Sequence, residues 1–283
     1  MKIDAETKLY FLLGNPVAHS LSPALHNAAF QALHFNAVYL AAKVDQNQVG
    51  NALKGMRALQ IAGANVTSPH KEAVIKYLDE ISEEARLIRS VNTIINEDGW
   101  LKGFSTDGSG FYRALLENVT DYDQDWPVMI VGTGGAARAV SYTMAEKGAQ
   151  KIYLVNRSQE KSMDLARLLS RFSTLTECQP LPLDKSSLTS ALTKCLLIIY
   201  TLPLDHPLIK DLFEENTDLG EGKILYDLRY SPSRSSTMAA FEKAGGIAYN
   251  GADMLLWQAV EAFKIFTGYE APLAVMQKAL LKV

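Results

Sequence analysis

Val128-Met129-Ile130-Val131-Gly132-Thr133-Gly134-Gly135-Ala136-Ala137 is the stretch whose reading decides the fold of this 283-residue chain. Its first four residues are an apolar run of buried-strand type, and beyond the turn Ala139, Val140 and Met144 recur at helical spacing. Between them the small residues follow G-x-G-x-x-A. That pattern permits a tight turn, brings backbone N–H groups close to a pyrophosphate and lets the helix pack on the strand. A glycine motif alone is weak, but a strand before it and a helix after it are the required context, so the stretch predicts a dinucleotide-binding half. About twenty residues further on, a second strand, Lys151 to Val155, ends in Asn156-Arg157-Ser158. An acidic residue there would hold the ribose hydroxyls of NAD, whereas Arg157 suits the 2′-phosphate of NADP.

Working outward, three more strands are readable at residues 196–200, 223–228 and 247–249, each next to a helix candidate, which completes a doubly wound domain. Upstream, strands at Tyr10 to Leu13, Val38 to Ala42 and Ile61 to Thr67 alternate with helices. One helix carries Leu25, Ala29, Phe30 and Leu33 on one face, and the other runs from Gln46 to Leu59. That alternation predicts a further α/β domain with a mostly parallel sheet. Residues 91–95 and 100–104 flank Asn96-Glu97-Asp98-Gly99, a hairpin signal. Thr120 to Trp126 is acidic and aperiodic, is followed by Pro127, and marks the passage to the cofactor half. The chain closes with two helices, Ala252 to Phe266 and Ala271 to Leu281.

Composition narrows the function. Lys plus Arg number 28 against 31 Asp plus Glu, so the net charge of -3 offers no footprint for nucleic acid or an anionic membrane. A small-molecule partner is the expectation. The short apolar run Leu9 to Leu13 follows Asp4 and Glu6, unlike a signal peptide, and no stretch approaches a membrane span. Cys178 and Cys195 suggest neither a zinc site nor a disulfide framework, and His19, His26, His34, His70 and His206 show no metal-ligand grouping. A reducing, cytoplasmic setting fits these features.

The chemistry is expected at Gly63-Ala64-Asn65-Val66-Thr67-Ser68-Pro69-His70-Lys71. The spacing of Val74, Ile75, Leu78 and Ile81 predicts a helix there, with Ser68 as its cap and Pro69 at its start, so Lys71 falls in a first helical turn. The unpaired N–H groups of a helix start disfavour a second positive charge and ease proton loss from it. Lys71 is therefore either a solvated bystander or a proton-transfer group. Ser20 and Ser22 are two apart and could present paired hydroxyls to a carboxylate, although Ser22 before Pro23 equally suits a helix N-cap. Asn92 could cap a loop or touch a ligand. Asp107 could cap the next helix or do chemistry. Gln258 lies on the penultimate helix, where an exposed glutamine is the plain expectation.

Taken together, these motifs resemble the shikimate dehydrogenase family nearly end to end. The pieces are Gly14-Asn15-Pro16 with Ser20-Leu21-Ser22-Pro23, Gly63 to Thr67 with Pro69 and Lys71, Val91-Asn92-Thr93, and Thr106-Asp107-Gly108. The glycine turn, Asn156-Arg157-Ser158, Tyr226-Asp227 with Tyr230, and Met254-Leu255 with Gln258 complete the set. The resemblance implies reversible, NADP-dependent reduction of 3-dehydroshikimate to shikimate by a monomer or homodimer. Residues 1–107 with 251–283 would form the substrate domain and residues 108–250 the NADP domain. It further implies that Ser20 and Ser22, assisted by Tyr230, hold the substrate carboxylate, and that Thr67, Lys71, Asn92, Asp107 and Gln258 hold its hydroxyls and ketone. Lys71 and Asp107 would be the catalytic pair, and Gly132, Gly134, Gly135, Ala136, Asn156, Arg157 and Gly251 would bind the cofactor. The sequence departs from the family pattern at His70 for phenylalanine, Ser105 for asparagine, Tyr200-Thr201-Leu202 for Asn-Ala-Thr, and Asp205 for glycine. These departures put cofactor geometry in question more than substrate class. A quinate or quinate/shikimate dehydrogenase, or a dinucleotide-binding regulatory protein without turnover, are the alternative readings.

Overall fold

The computed structural model describes residues 3–281, and the chain forms two compact units, Met1–Gly110 with Leu255–Val283, and Phe111–Met254. Both are α/β. The first contains β1 (Lys8–Gly14), β2 (Ala37–Lys43), β3 (Gly63–Val66), β4 (Glu80–Ile81), β5 (Thr93–Glu97) and β6 (Trp100–Phe104), in the order β2-β1-β3-β5-β6-β4. The strands β2, β1 and β3 are parallel, and the β5–β6 hairpin adds two antiparallel pairings. The hairpin turn is Asp98-Gly99, both at positive φ, as a two-residue connection of this hand requires. In β1 the period of two sorts the side chains between two cores. Tyr10 and Leu12 pack with Leu25, Phe30, Phe263 and Met276, while Phe11 and Leu13 face Leu53, Met56 and Ile94. A strand buried on both faces reads as a continuous apolar run, which makes β1 visible in the sequence.

The segment after β3 departs from expectation. No α-helix begins directly after Val66. Turns lead to a single 3-10 turn at Ile75–Tyr77, and Leu78 is already extended. The helical pattern loses to strand pairing. Asp79 N–H donates to the Leu101 carbonyl at 3.0 Å, the Asp79 carboxylate takes the Leu101 N–H at 2.7 Å, and Glu80–Ile81 pairs with β6. Val74, Leu78 and Ile81 still enter the core, but from a turn and a short strand.

The second unit is one parallel sheet, β7 (Val128–Val131), β8 (Lys151–Asn156), β9 (Glu177–Pro182), β10 (Leu197–Tyr200), β11 (Ile224–Asp227) and β12 (Ile247–Tyr249), ordered β12-β11-β10-β7-β8-β9. From β7 the chain winds to one edge through β8 and β9, then returns to β10 and winds to the other. The topological switch point therefore lies between the carboxyl ends of β7 and β10, where ligands bind in sheets of this kind. Strand β9 is not among those readable from the sequence, because Pro180 and Pro182 interrupt its pattern. It is an edge strand, the one place where absent N–H donors are tolerated. Among the described residues, no helix is long and apolar enough to cross a membrane.

Candidate active site

Lys71 and Asp107 meet within the first unit, the lysine Nζ lying 2.5 Å from Asp107 Oδ2, with side-chain exposures of 17% and 5%. Asp107 opens the helix Asp107–Asn118. Lys71 lies in a run of turns and not in a first helical turn as the sequence led one to expect, so its place is set by other means. Its carbonyl accepts the Val91 N–H at 2.9 Å, and the neighbouring His70 is buried with its ring Nε2 donating to the Val44 carbonyl at 2.7 Å. The histidine found in place of phenylalanine thus ties this turn to the chain after β2.

Asn92 is buried beside the pair. Its side-chain Nδ2 donates to Asp107 Oδ1 at 2.9 Å and Thr106 Oγ1 at 2.9 Å, and approaches Gln258 Oε1 at 3.4 Å. Its backbone is pinned on both sides, N–H to the Phe104 carbonyl at 3.0 Å and carbonyl from the Val66 N–H at 2.8 Å. Gln258 is nearly buried rather than exposed, a correction to the plain helical reading. The absence of a side chain at Gly110 permits it, since a Cβ there would lie 2.6 Å from the Gln258 backbone nitrogen. Thr106 fastens the same contact, donating its hydroxyl to the Gln258 carbonyl at 3.1 Å.

Ser22 does not cap its helix. The helix Ser22–Ala32 has Leu21 at its N-cap and no side-chain capping bond. The Ser22 hydroxyl is instead engaged by neighbouring hydroxyls. Ser20 Oγ lies 3.2 Å from Ser22 Oγ and accepts the Ser22 N–H at 3.2 Å. Burial raises the pKa of the Tyr39 phenol well above its usual value, while a hydrogen bond from Ser22 pulls it down. Thr67, half-buried, follows β3, its N–H on the Leu13 carbonyl at 2.9 Å. Four residues of this hydrogen-bonded set had no role from the sequence: Tyr39, Asn65, Thr93 and Thr106. Polar side chains inside apolar strands, as in Gly63-Ala64-Asn65-Val66 and Val91-Asn92-Thr93-Ile94, were the available signal.

In the second unit, Gly132 sits at φ +115° after β7, and a Cβ on it would collide with Thr201 Oγ1, which donates to the Val131 carbonyl at 2.7 Å. Gly134 is the N-cap of the helix Gly135–Glu146 and makes no side-chain capping bond, and a Cβ added to it would meet nothing within 4 Å. With Gly135 and Ala136 in the first turn, the helix start is open to an anion. Asn156 ends β8, its amide on the Ser158 carbonyl at 3.2 Å, and Arg157 is exposed beside it. Tyr230 is half-buried shortly after β11, and Gly251 is buried with its N–H on the Arg229 carbonyl at 2.8 Å. Among the described residues, no three His, Cys, Asp or Glu side chains are grouped to hold a metal.

Comparison with known proteins gives three family models in chain order. "Shikimate dehydrogenase substrate binding domain" matches residues 12–94, "Shikimate / quinate 5-dehydrogenase" residues 115–211, and "Shikimate 5'-dehydrogenase C-terminal domain" residues 251–281. The chain is 39% identical to the shikimate dehydrogenase (NADP(+)) of Methanopyrus kandleri, over 100% of this chain and 98% of the relative. It is 41% identical to that of Moorella thermoacetica, over 99% and 95%. A solved shikimate dehydrogenase in complex with NADP+ superposes with a TM-score of 0.86 at 34% identity, covering 99% of this chain and 97% of the other.

Proposed function

The chain belongs to the shikimate dehydrogenase family, and from that premise we propose that it interconverts 3-dehydroshikimate and shikimate with NADP, Lys71 and Asp107 forming the proton-transfer pair. The observation that carries these roles is the 2.5 Å contact between the two, with Asn92 and Gln258 grouped around it. NADPH, when bound, supplies the hydride that the ketone carbon accepts. Negative charge then gathers on the ketone oxygen, and Lys71 donates the proton that neutralises it. In oxidation the lysine takes that proton back. Asp107 holds the ammonium in place, and Asn92 holds Asp107.

The substrate belongs to residues 1–107 with 251–283. There the Ser20 and Ser22 hydroxyls receive the carboxylate, and Thr67, Asn92 and Gln258 orient the ring hydroxyls. The dinucleotide belongs to residues 108–250, with Gly251 at their edge. The uncapped helix start at Gly134, Gly135 and Ala136 suits the pyrophosphate, and the tight turn at Gly132 keeps its backbone within reach. Asn156 and the exposed Arg157 suit the phosphorylated ribose. Both cysteines are free, which fits a cytoplasmic setting.

The test is NADP reduction with shikimate and with quinate, side by side, on the unaltered protein and on Lys71→Met. The expected result is turnover of shikimate, lost by about a hundredfold or more in Lys71→Met, the usual worth of general acid–base catalysis. NADP affinity should be kept. A Lys71→Met protein that retains most of its turnover would refute the mechanism. Preference for quinate would move the assignment within the family, and an inactive unaltered protein would support a regulatory role.

A further inference from the structure

Asp107 is held by Asn92, and Asn92 is itself held by polar side chains buried behind it. We propose that Thr93, with Tyr39 and Asn65 behind it, is a positioning residue of the reaction, fixing the Asn92 amide so that it presents only donors to Asp107. The inference rests on Lys71 and Asp107 being the proton-transfer pair.

Hydrogen-bond direction fixes each member in turn. Asn92 Oδ1 accepts the Thr106 backbone N–H at 2.8 Å, and a backbone N–H can only donate, so oxygen must occupy that end of the amide. Nδ2 therefore faces Asp107 Oδ1. Asn65 is fixed by the opposite constraint. Its Nδ2 donates at 3.1 Å to the Asn92 backbone carbonyl, which can only accept. The same Nδ2 donates to Thr93 Oγ1 at 3.0 Å. Having accepted from Asn65, the Thr93 hydroxyl directs its own proton to Asn92 Oδ1, 3.1 Å away. At the far end, the Tyr39 hydroxyl donates to Asn65 Oδ1 at 2.8 Å.

The relay thus runs one way, Tyr39 to Asn65 to Thr93 to Asn92 to Asp107, and each member removes an alternative orientation from the next. Tyr39 and Thr93 are fully buried and Asn65 nearly so, and they act through Asn92. Without the Thr93 proton, one donor instead of two restrains the Asn92 amide. The amide then tilts about the remaining Thr106 N–H bond, its Nδ2 moves off the line to Asp107 Oδ1, and the aspartate no longer holds Lys71 in one place. Substrate held through Ser20, Ser22, Thr67 and Gln258 keeps those contacts and loosens only at Asn92, so the cost falls mainly on turnover.

The experiment measures kcat and the shikimate KM for Thr93→Val, which keeps the shape and removes the hydroxyl, and for Thr93→Ser, which restores it. Melting temperatures are taken alongside. We expect kcat to fall about tenfold in Thr93→Val, the factor given by losing one hydrogen bond's worth of positioning. The shikimate KM should change by less than about twofold on the same reasoning. Thr93→Ser should recover most of the rate. Wild-type kcat in a folded Thr93→Val protein overturns the proposal, as does an equal loss in Thr93→Ser or a loss confined to KM. Should Thr93→Val fail to fold, Tyr39→Phe removes one hydroxyl from the far end of the relay and keeps the ring stacked on His26. It should show a smaller fall in kcat, and an unchanged kcat there overturns the relay. Lys71→Met in the same series separates the two readings. If it keeps its turnover the proton-transfer pair is wrong, whereas an inactive Lys71→Met beside a wild-type Thr93→Val removes the relay alone.

Discussion

Replacing Asp107 by Asn keeps the size of the side chain and changes only what its atoms can offer, so it isolates the charge and the acceptor. Asp107 accepts from Lys71 Nζ on one oxygen and from Asn92 Nδ2 on the other, both donors that cannot reverse, since the Thr106 N–H holds the Asn92 amide. An asparagine would have to turn its own NH2 toward one of them. Breaking a buried pair by removing one charge costs about 3–5 kcal/mol, and the lower end applies because Lys71 keeps 17% of its side chain in water. A loss of about 3 kcal/mol corresponds to a melting temperature lower by about 6–12 °C in a unit of this size. The rate should fall by about a hundredfold, the worth of a positioned proton donor. Thermal unfolding and shikimate-dependent NADP reduction measure the two effects separately. An Asp107→Asn protein that melts like the unaltered one and keeps more than half its kcat would show that the carboxylate neither stabilises nor orients Lys71.

Two other variants test the outer parts of the reading. Arg157→Ala should raise the KM for NADP by about tenfold or more, the worth of a hydrogen bond to a charged group, while leaving that for NAD nearly unchanged. Equal losses for both cofactors would remove Arg157 from phosphate recognition. His26 is fully buried, stacked on Tyr39 with ring centroids 4.4 Å apart, and neither ring nitrogen has a hydrogen-bond partner. Burial pushes its pKa down to about 3 from an ordinary value of 6.5. The unfolded chain therefore takes up the proton first, and stability present above pH 6.5 is lost as pH falls from there toward 3. The slope contributed is at most about 1.4 kcal/mol per pH unit. His26→Phe should flatten the pH dependence of unfolding by urea between those limits, and an identical slope in both proteins would show that His26 does not titrate on unfolding.

The dinucleotide half was legible because a parallel sheet covered on both faces writes its strands as continuous apolar runs, and the turn at Gly132 needs small residues in a fixed order. What the sequence could not display were interactions decided elsewhere in the chain. The spacing of Val74, Leu78 and Ile81 fits a helix, and only the Leu101 backbone, more than twenty residues on, pulls that segment into a strand. Gln258 reads as an exposed helical residue until Gly110 brings its helix close. The departures at Tyr200 and Asp205 look unrelated in the sequence, yet Arg229 joins them. Its guanidinium lies 4.9 Å from the Tyr200 ring centroid, and its Nη2 is 2.7 Å from Asp205. The Tyr200 hydroxyl donates to the Leu204 carbonyl at 2.8 Å and accepts the His206 N–H at 2.8 Å, which shapes the turn that carries Asp205. Burial pushes the Asp205 carboxyl up, but the Ser236 hydroxyl, Arg229 and the Thr237 hydroxyl together hold it well below the usual carboxylate range. A glycine at 205 would leave Arg229 to Asp227 alone, and an asparagine at 200 would lack the ring on which the guanidinium lies. Tyr200 and Asp205 thus hold one guanidinium between them. The turn that follows β10, beside the switch point, is built around Arg229.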